Sequence, residues 1–270
     1  PKITVRRGYN YNKNYIYSAP KNIDKLSTKL FINNNGVTYN YDPAFIFTSA
    51  TLSTKKDDYS YFLDGIGIKE SDNVVIEKYQ DSPYNYHDNA IVYACDDIES
   101  PSLNKEKYLE QLVSKIKELI LLTNGKTLVL FTSKSDMNYV YSKIGNKLED
   151  INIYIQKDGS SQDEIKEKFK SDINSVLFST GAFWEGIDIK GKSLSNVIIA
   201  RLPFPIVDPI MEYKSSVYGN DGFKKVYLPE MLMKLKQGVG RLIRSKSDTG
   251  ILCVLDSRFN KKYQEEVIET

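Results

Sequence analysis

A chain of 270 residues with 41% apolar and 27% charged side chains has room for one large or two modest domains around a sizeable core. Its formal charge of +2 excludes binding to a polyanion through a global basic field, while leaving room for a local groove of clustered Lys and Arg. One histidine and two cysteines exclude a multi-histidine metal centre and a four-cysteine cluster.

Cys95 and Cys253 sit in the apolar runs AIVYACD and ILCVLD and read as reduced core thiols, the usage of a cytoplasmic protein. No apolar run has the length of a membrane span, and no signal peptide is recognisable. The sequence opens on Pro1 instead of Met, so it is expected to be part of something longer.

In chain order, residues 1–42 are rich in Tyr, Asn and Lys, with a weak signal for short strands between Thr4 and Tyr17. AFIFT (44–48) has the composition of a buried strand leading into the loop SATLS. Thr54 to Leu63 predicts a short helix closed by Gly65 and Gly67. NVVIEKY (73–79) and AIVYACD (90–96) predict strands separated by the turn-rich SPYNYHDN. From residue 105 an alternation of helix and strand sets in. Asn104 caps a helix whose Leu109, Leu112, Val113, Ile116, Leu119 and Ile120 recur at three- and four-residue spacing, ended by Asn124-Gly125. Strand TLVLFT (127–132), helix 135–148, strand INIYI (151–155), helix 161–171 and strand SVLFS (175–179) follow. A Gly-dotted loop then leads to strand NVIIARLPF (196–204), helices over 208–219 and 229–244, strand GILCVLD (250–256) and a last helix near 258–268. Near-continuous apolar strands alternating with helices predict an α/β fold, a parallel sheet covered on both faces.

GIDIKGKS (186–193) matches the G-x-x-x-x-G-K-[ST] pattern of a phosphate-binding loop, but its context is wrong. Such a loop needs a helix to start at once behind it, with its N–H groups facing the phosphate. Here the β-branched run LSNVIIARLPF follows instead. The acidic strand end that would hold Mg²⁺ has one candidate, Asp256, with only 14 residues after it. The match is an accident of composition.

Three other stretches carry chemistry. In QGVGRLIR (237–244), a helix would place Gln237, Arg241 and Arg244 on one polar stripe, opposite Leu232, Leu235, Val239, Leu242 and Ile243. Gly238 and Gly240 each cost such a helix about 1 kcal/mol relative to Ala, which predicts something large close to its backbone. Two guanidinium forks on one face suit a polyphosphate or a carboxylate, or else ordinary ion pairs. FSTGAFWEGID (178–188) follows a buried strand, where parallel sheets bind ligands, and offers Ser179, Thr180, Glu185, Asp188, Gly181 and Gly186. Its Trp184 reads as a core anchor ahead of a stacking platform, and loop-internal hydrogen bonds compete for Glu185 and Asp188. TLVLFTS (127–133) ends another strand in the hydroxyls of Thr132 and Ser133.

Taken in order, these stretches resemble a family. QGVGRLIR resembles motif VI of superfamily 2 helicases, FWEGID motif V of the DinG/XPD group, LVLFTS motif IV, and TSATLS (48–53) motif III. SAPKNIDKLSTKLF (18–31) and ARLPFPIVDPI (200–210) are similar to further stretches of DinG-like proteins. The resemblance, which covers nearly the whole chain, implies a RecA-like lobe, the second motor lobe of an ATP-dependent DNA helicase of the kind used in DNA repair. Residues 1–53 would be the C-terminal remnant of the first lobe and 54–270 the second lobe. It further implies ATP and Mg²⁺ bound jointly with the first lobe, whose phosphate-binding loop and acidic motif this chain lacks. An iron–sulfur cluster or exonuclease domain would lie only in portions absent here.

By the same resemblance, Arg241 and Arg244 would be arginine fingers and Gln237 a nucleotide sensor. Glu185, Gly186, Asp188 and Gly240 would line the nucleotide side. Ser49 and Thr51 would couple the cleft to nucleic-acid movement, and Thr132, Ser133 and Thr180 would touch single-stranded DNA. The expected partners are single-stranded DNA and the N-terminal lobe of the same protein, in a cytoplasmic monomer without a membrane or a metal site of its own. Alone, the chain would be inactive. The rival readings are a non-catalytic nucleic-acid-binding module of the same fold and a stand-alone phosphate-loop NTPase.

Overall fold

The computed structural model describes residues 2–7, 14–19, 45–49, 51–68, 75–76, 84–157, 161–181, 183–186, 189 and 193–268. Two strands open the chain, β1 (Lys2–Arg7) and β2 (Asn14–Ala19), followed by helices α1 (Ser60–Ile66) and α2 (Tyr86–Asn89). Then come β3 (Ala90–Ala94), α3 (Lys105–Leu122), β4 (Thr127–Phe131), α4 (Lys134–Ile144), β5 (Lys147–Leu148) and β6 (Ile151–Ile155). Helix α5 (Gln162–Ser171), β7 (Val176–Thr180), the single turn α6 (Phe183–Gly186) and β8 (Asn196–Ile199) follow. Then come α7 (Pro209–Val217), α8 (Leu228–Val239), β9 (Gly250–Val254) and α9 (Gln264–Ile268), with a 3-10 turn at Gly219–Asp221 and π-helical turns at Phe223–Tyr227 and Phe259–Tyr263 leading into α8 and α9. The chain divides into two compact units: Pro1–Gln80 with Phe204–Met233, and Asp81–Pro203 with Lys234–Thr270.

The larger unit is built on a seven-stranded sheet in the order β3-β9-β8-β4-β7-β6-β5. All neighbours are parallel except the short β5, which runs antiparallel to β6. Strands β4, β7 and β8 are buried at every position, as strands sandwiched between helix layers must be. Their side chains alternate between the two faces. Val129, Phe131, Phe178, Ile198 and Cys253 join Leu112, Ile116 and Ile120 of α3 and Met137 and Val140 of α4 in one core cluster. The predicted periodicity of α3 is therefore its buried face.

Helix starts follow local chemistry. Asn104, Ser133 and Ser161 each accept a hydrogen bond from a first-turn N–H of α3, α4 and α5, and Asp208 accepts two ahead of Pro209 at the start of α7. Helix α4 stops at Ile144, four residues short of the predicted end. The next residue, Gly145, has φ of +88° and lets the chain turn back into β5. Strand β8 ends at Ile199, since Ala200 and Arg201 bend ahead of Pro203.

In the smaller unit, β1 and β2 form an antiparallel hairpin with Lys2 opposite Ala19 and Arg7 opposite Asn14. Phe45, Ile46 and Phe47 of the predicted strand AFIFT are exposed and take no strand conformation. Of the predicted strand 73–79 only Val75 and Ile76 are described, without regular structure. Helix α1 is fastened by two tyrosine–carboxylate bonds: Tyr61 donates to Glu230 at 2.5 Å, and Tyr218 donates to Asp64 at 3.3 Å. Among the described residues no helix is long and apolar enough to cross a membrane.

Candidate functional site

The phosphate-loop match fails in three dimensions as it does in sequence. Ser193, its last residue, is buried, donates its hydroxyl to the Lys170 carbonyl at 3.0 Å, and leads into strand β8. A hydroxyl tied to a carbonyl ahead of a strand is in no position to serve a metal-bound phosphate at a helix start.

QGVGRLIR is only half helical. Helix α8 ends at Val239, so Gln237 lies on its last turn, Arg241 on the turn that follows, and Arg244 in irregular chain beyond it. This corrects the single helical stripe that the spacing predicts. The helix tightens to three-residue bonds, Arg241 N–H to the Gly238 carbonyl and Leu242 N–H to the Val239 carbonyl, and then breaks. Buried Asp248 holds the break open: its carboxylate accepts the N–H groups of Arg244 (2.9 Å) and Ser245 (2.8 Å) and the Ser245 hydroxyl (2.7 Å). Those N–H groups are then lost to a continuing helix.

The large object predicted beside the glycines is the indole of Trp184. A Cβ on Gly238 would stand 2.9 Å from its Cζ3 and 3.0 Å from its Cε3. Trp184 is fully buried, as the anchor reading expects, with Lys234 Nζ 5.8 Å from its ring centre. Its Nε1 donates to the Phe131 carbonyl at 3.2 Å, and its own carbonyl accepts Arg241 Nε at 3.0 Å. One residue thus ties the arginine turn to the end of β4, immediately ahead of Thr132.

The strand-end hydroxyls are brought together. Phe131 and Thr180 are paired residues of β4 and β7, so Thr132 and Thr180 stand at the same edge of the sheet. Ser133 caps α4, accepting the Asp136 N–H, and shares a 2.7 Å hydrogen bond with Ser135. Thr180 is buried, and Gln156 holds it by accepting its N–H at 3.0 Å and its hydroxyl at 3.4 Å. Glu185 and Gly186 close the short helix α6 directly after Trp184. Gly240 follows the last residue of α8, its N–H donating to the Lys236 carbonyl at 3.0 Å. Asp188 lies outside the described residues. Ser49 and Thr51 belong to the other unit, where Ser49 Oγ accepts the Thr51 N–H at 3.2 Å and lies 3.3 Å from its hydroxyl.

Several residues of this edge have partners that the local sequence does not reveal. Asp256, fully buried after β9, binds Arg258 through two bonds of 2.9 and 2.6 Å and accepts the Leu202 N–H at 3.0 Å. Tyr108 of α3 donates to the Ala200 carbonyl. Gln156 is readable only as a polar residue closing an apolar strand. As chemistry, the assembly offers planar cationic forks and strand-end hydroxyls, which suit phosphate oxygens. Among the described residues no group of three His, Cys, Asp or Glu is placed to hold a metal ion.

The helicase C-terminal domain family matches residues 116–270 of the chain. The chain is 33% identical over 219 residues to the ATP-dependent DNA helicase YoaA of Escherichia coli (strain K12), covering 80% of the chain and 33% of that protein. It is 33% identical over 245 residues to the ATP-dependent DNA helicase DinG of Photobacterium profundum, covering 83% of the chain and 33% of that protein. In structure it is similar to an XPD helicase, with a TM-score of 0.63 at 20% identity, over 82% of the chain and 40% of that chain. The chain therefore spans about a third of the length of the curated relatives it matches.

Proposed function

The chain belongs to the helicase C-terminal domain family, with the RecA-like fold of DinG/XPD-like superfamily 2 proteins, and from that premise we propose that it is the second motor lobe of an ATP-dependent DNA helicase. The parent hydrolyses ATP to move along single-stranded DNA, 5′ to 3′, and separates duplexes, as a cytoplasmic monomer. Residues 1–53 are the end of its first lobe, with Ser49 and Thr51 in the coupling motif, and the chain alone is inactive.

The observation that carries this reading is the two-bond relay through Trp184, from Arg241 Nε to the Trp184 carbonyl and from Trp184 Nε1 to the Phe131 carbonyl. A guanidinium held at Nε has its plane set before any phosphate arrives, which is the preorganisation that transition-state charge requires. Arg241, with Arg244 beside it, stabilises charge developing on the transferred phosphoryl group, and Gln237 reads the nucleotide one turn earlier. Displacement of Arg241 is felt at Trp184. Trp184 passes it to Glu185 and Gly186 on its own chain, and through the indole to Thr132 and Ser133. Thr180, on the neighbouring strand, shares the DNA-facing edge. Mg²⁺ supplies charge neutralisation when bound with ATP, through ligands of the other lobe.

The test is ATP turnover by this chain and by the full-length parent, each with and without single-stranded DNA. An inert chain beside a DNA-stimulated parent that Arg241→Ala and Arg244→Ala silence supports the half-motor. Turnover by the chain alone, lost on Lys192→Ala, overturns it in favour of a stand-alone NTPase. DNA binding by the parent without any nucleotide dependence favours the non-catalytic module.

A further inference from the structure

The C-terminal edge of the sheet holds a cation that the relay does not use. Arg201 follows β8, the strand between β9 and β4. The last β4–β8 pair is Leu130 with Ile199, and the Ala200 N–H still donates to the Leu130 carbonyl, so Thr132 and Arg201 follow neighbouring strands at the same end of the sheet. Strands β4 and β8 are neighbours in the sheet, so the two residues leave it along one edge.

The backbone around Arg201 is held on both sides. The Ala200 N–H donates to the Leu130 carbonyl at 3.1 Å, the Ala200 carbonyl accepts the Tyr108 hydroxyl, and the Leu202 N–H donates to Asp256 at 3.0 Å. A residue in a bend fastened at three points is presented rigidly, although it lies outside regular structure.

The charges nearby cancel in pairs. Asp256 after β9 is matched by Arg258 at 2.6 Å, and Asp136 at the start of α4 by Lys105 at 2.9 Å. Beyond β3, Asp97 pairs with Lys115 at 3.0 Å and Glu99 with Lys107 at 3.3 Å, leaving the exposed Asp96 in the chain just past β3, the edge strand two places from β8. Among the described residues Arg201 forms neither an ion pair nor a hydrogen bond, and it is partly exposed. The edge therefore carries at β8 a partly exposed guanidinium outside these ion pairs, with Thr132 following the neighbouring strand.

We propose that Arg201 binds a backbone phosphate of single-stranded nucleic acid beside Thr132, extending the strand-end contacts from β7 and β4 to β8. This rests on the DNA-motor reading. A planar fork with a neighbouring hydroxyl suits a phosphodiester, and a contact of this kind adds affinity without reading sequence.

The experiment measures binding of a fluorescent oligo(dT) to the full-length parent across a salt series, for the wild type, Arg201→Ala, Arg201→Lys and Thr132→Val. Arg201→Ala is expected to weaken binding about tenfold near 0.1 M salt and to lower the log–log salt slope by about 0.7, the single-strand value per phosphate contact. Arg201→Lys keeps the charge and restores most of that slope. An unchanged slope in Arg201→Ala, while Thr132→Val weakens binding, overturns the role of Arg201 and leaves the motor reading standing. No oligo(dT) binding by the wild type overturns both. A raised KM for ATP with an unchanged DNA slope would assign Arg201 to the nucleotide and overturn the proposal.

Discussion

Arg241 and Trp184 meet through main chain and side chain: Arg241 Nε donates to the Trp184 carbonyl at 3.0 Å, three residues after Gly238 has cleared space for the indole. The contact joins two sequence stretches more than fifty residues apart, and it depends on a property of arginine that lysine lacks. Lysine has no secondary nitrogen in its stem and no planar fork.

Arg241→Lys therefore separates charge from geometry. In the full-length parent it is expected to lower kcat for DNA-stimulated ATP hydrolysis by about 10³-fold, the lower end for loss of an arginine finger, with KM for ATP little changed. Steady-state kinetics measure both. Full activity in the lysine variant would remove the Trp184 link from the mechanism.

Gly238→Ala and Gly240→Ala separate packing from helix propensity. At 238 the new methyl meets a fully buried indole at 2.9 Å, an overpacking cost of about 1–3 kcal/mol against a propensity gain of about 1. A fall in Tm of about 2–4 °C is expected for each net kcal/mol lost. At 240 the nearest atom is the Lys236 carbonyl oxygen at 3.3 Å, the position lies past the end of the helix, and a change within about 0.5 kcal/mol is expected. Calorimetry that ranks the two variants equally would contradict the packing account.

Asp256 carries a larger load. Removing its carboxylate strands the Arg258 guanidinium, whose side chain is 16% exposed, and leaves the Leu202 N–H without its acceptor. Asp256→Ala is expected to cost about 3–5 kcal/mol in urea unfolding. Asp256→Ala with Arg258→Met should recover part of this, because the stranded charge goes too. Strict additivity would show that the two side chains do not act as a pair.

Burial pushes the Cys253 thiol from its ordinary value of 9.0 up to about 12, with a smaller contribution from Cys95 nearby. A raised pKa means that the folded chain keeps its proton while the unfolded chain loses it. The associated stability is fully present below pH 9 and is lost as pH rises from about 9 to about 12. Cys253→Ala should show a shallower alkaline decline than the wild type in denaturant titrations at stepped pH. At about pH 8 native Cys253 should resist iodoacetamide and react once the chain is unfolded.

Where periodicity is long and burial complete, the sequence is readable. Leu112, Ile116 and Ile120 name the inner face of α3, and TLVLF and VLFST announce strands buried on both faces. Trp184 as an anchor and the false phosphate loop are also readable, because each is decided by its neighbours in the chain. What escapes is set by distant partners. The helix that the spacing carries to Arg244 stops at Val239, because Asp248 takes two N–H groups and because Leu242 packs onto Gly250, where a Cβ would stand 2.5 Å from its Cδ1. AFIFT has the composition of a strand, but composition does not supply a neighbour to pair with. Gln156 under Thr180 and Asp256 under Leu202 act across 24 and 54 residues, and no window of local sequence contains both ends.

The strand order sets a schedule for the newborn chain. Strand β9, made from residues 250–254, is inserted between β3 and β8, so residues 90–94 have no parallel neighbour until some 160 residues later. Until then β3 is open on both sides, and in the finished sheet it remains the edge strand, with Ile91, Val92 and Tyr93 exposed and able to template another chain. Pairings that close so late fold slowly, and synthesis interrupted before residue 250 releases a sticky product. Insertion of β9 leaves β3 with one open side in place of two.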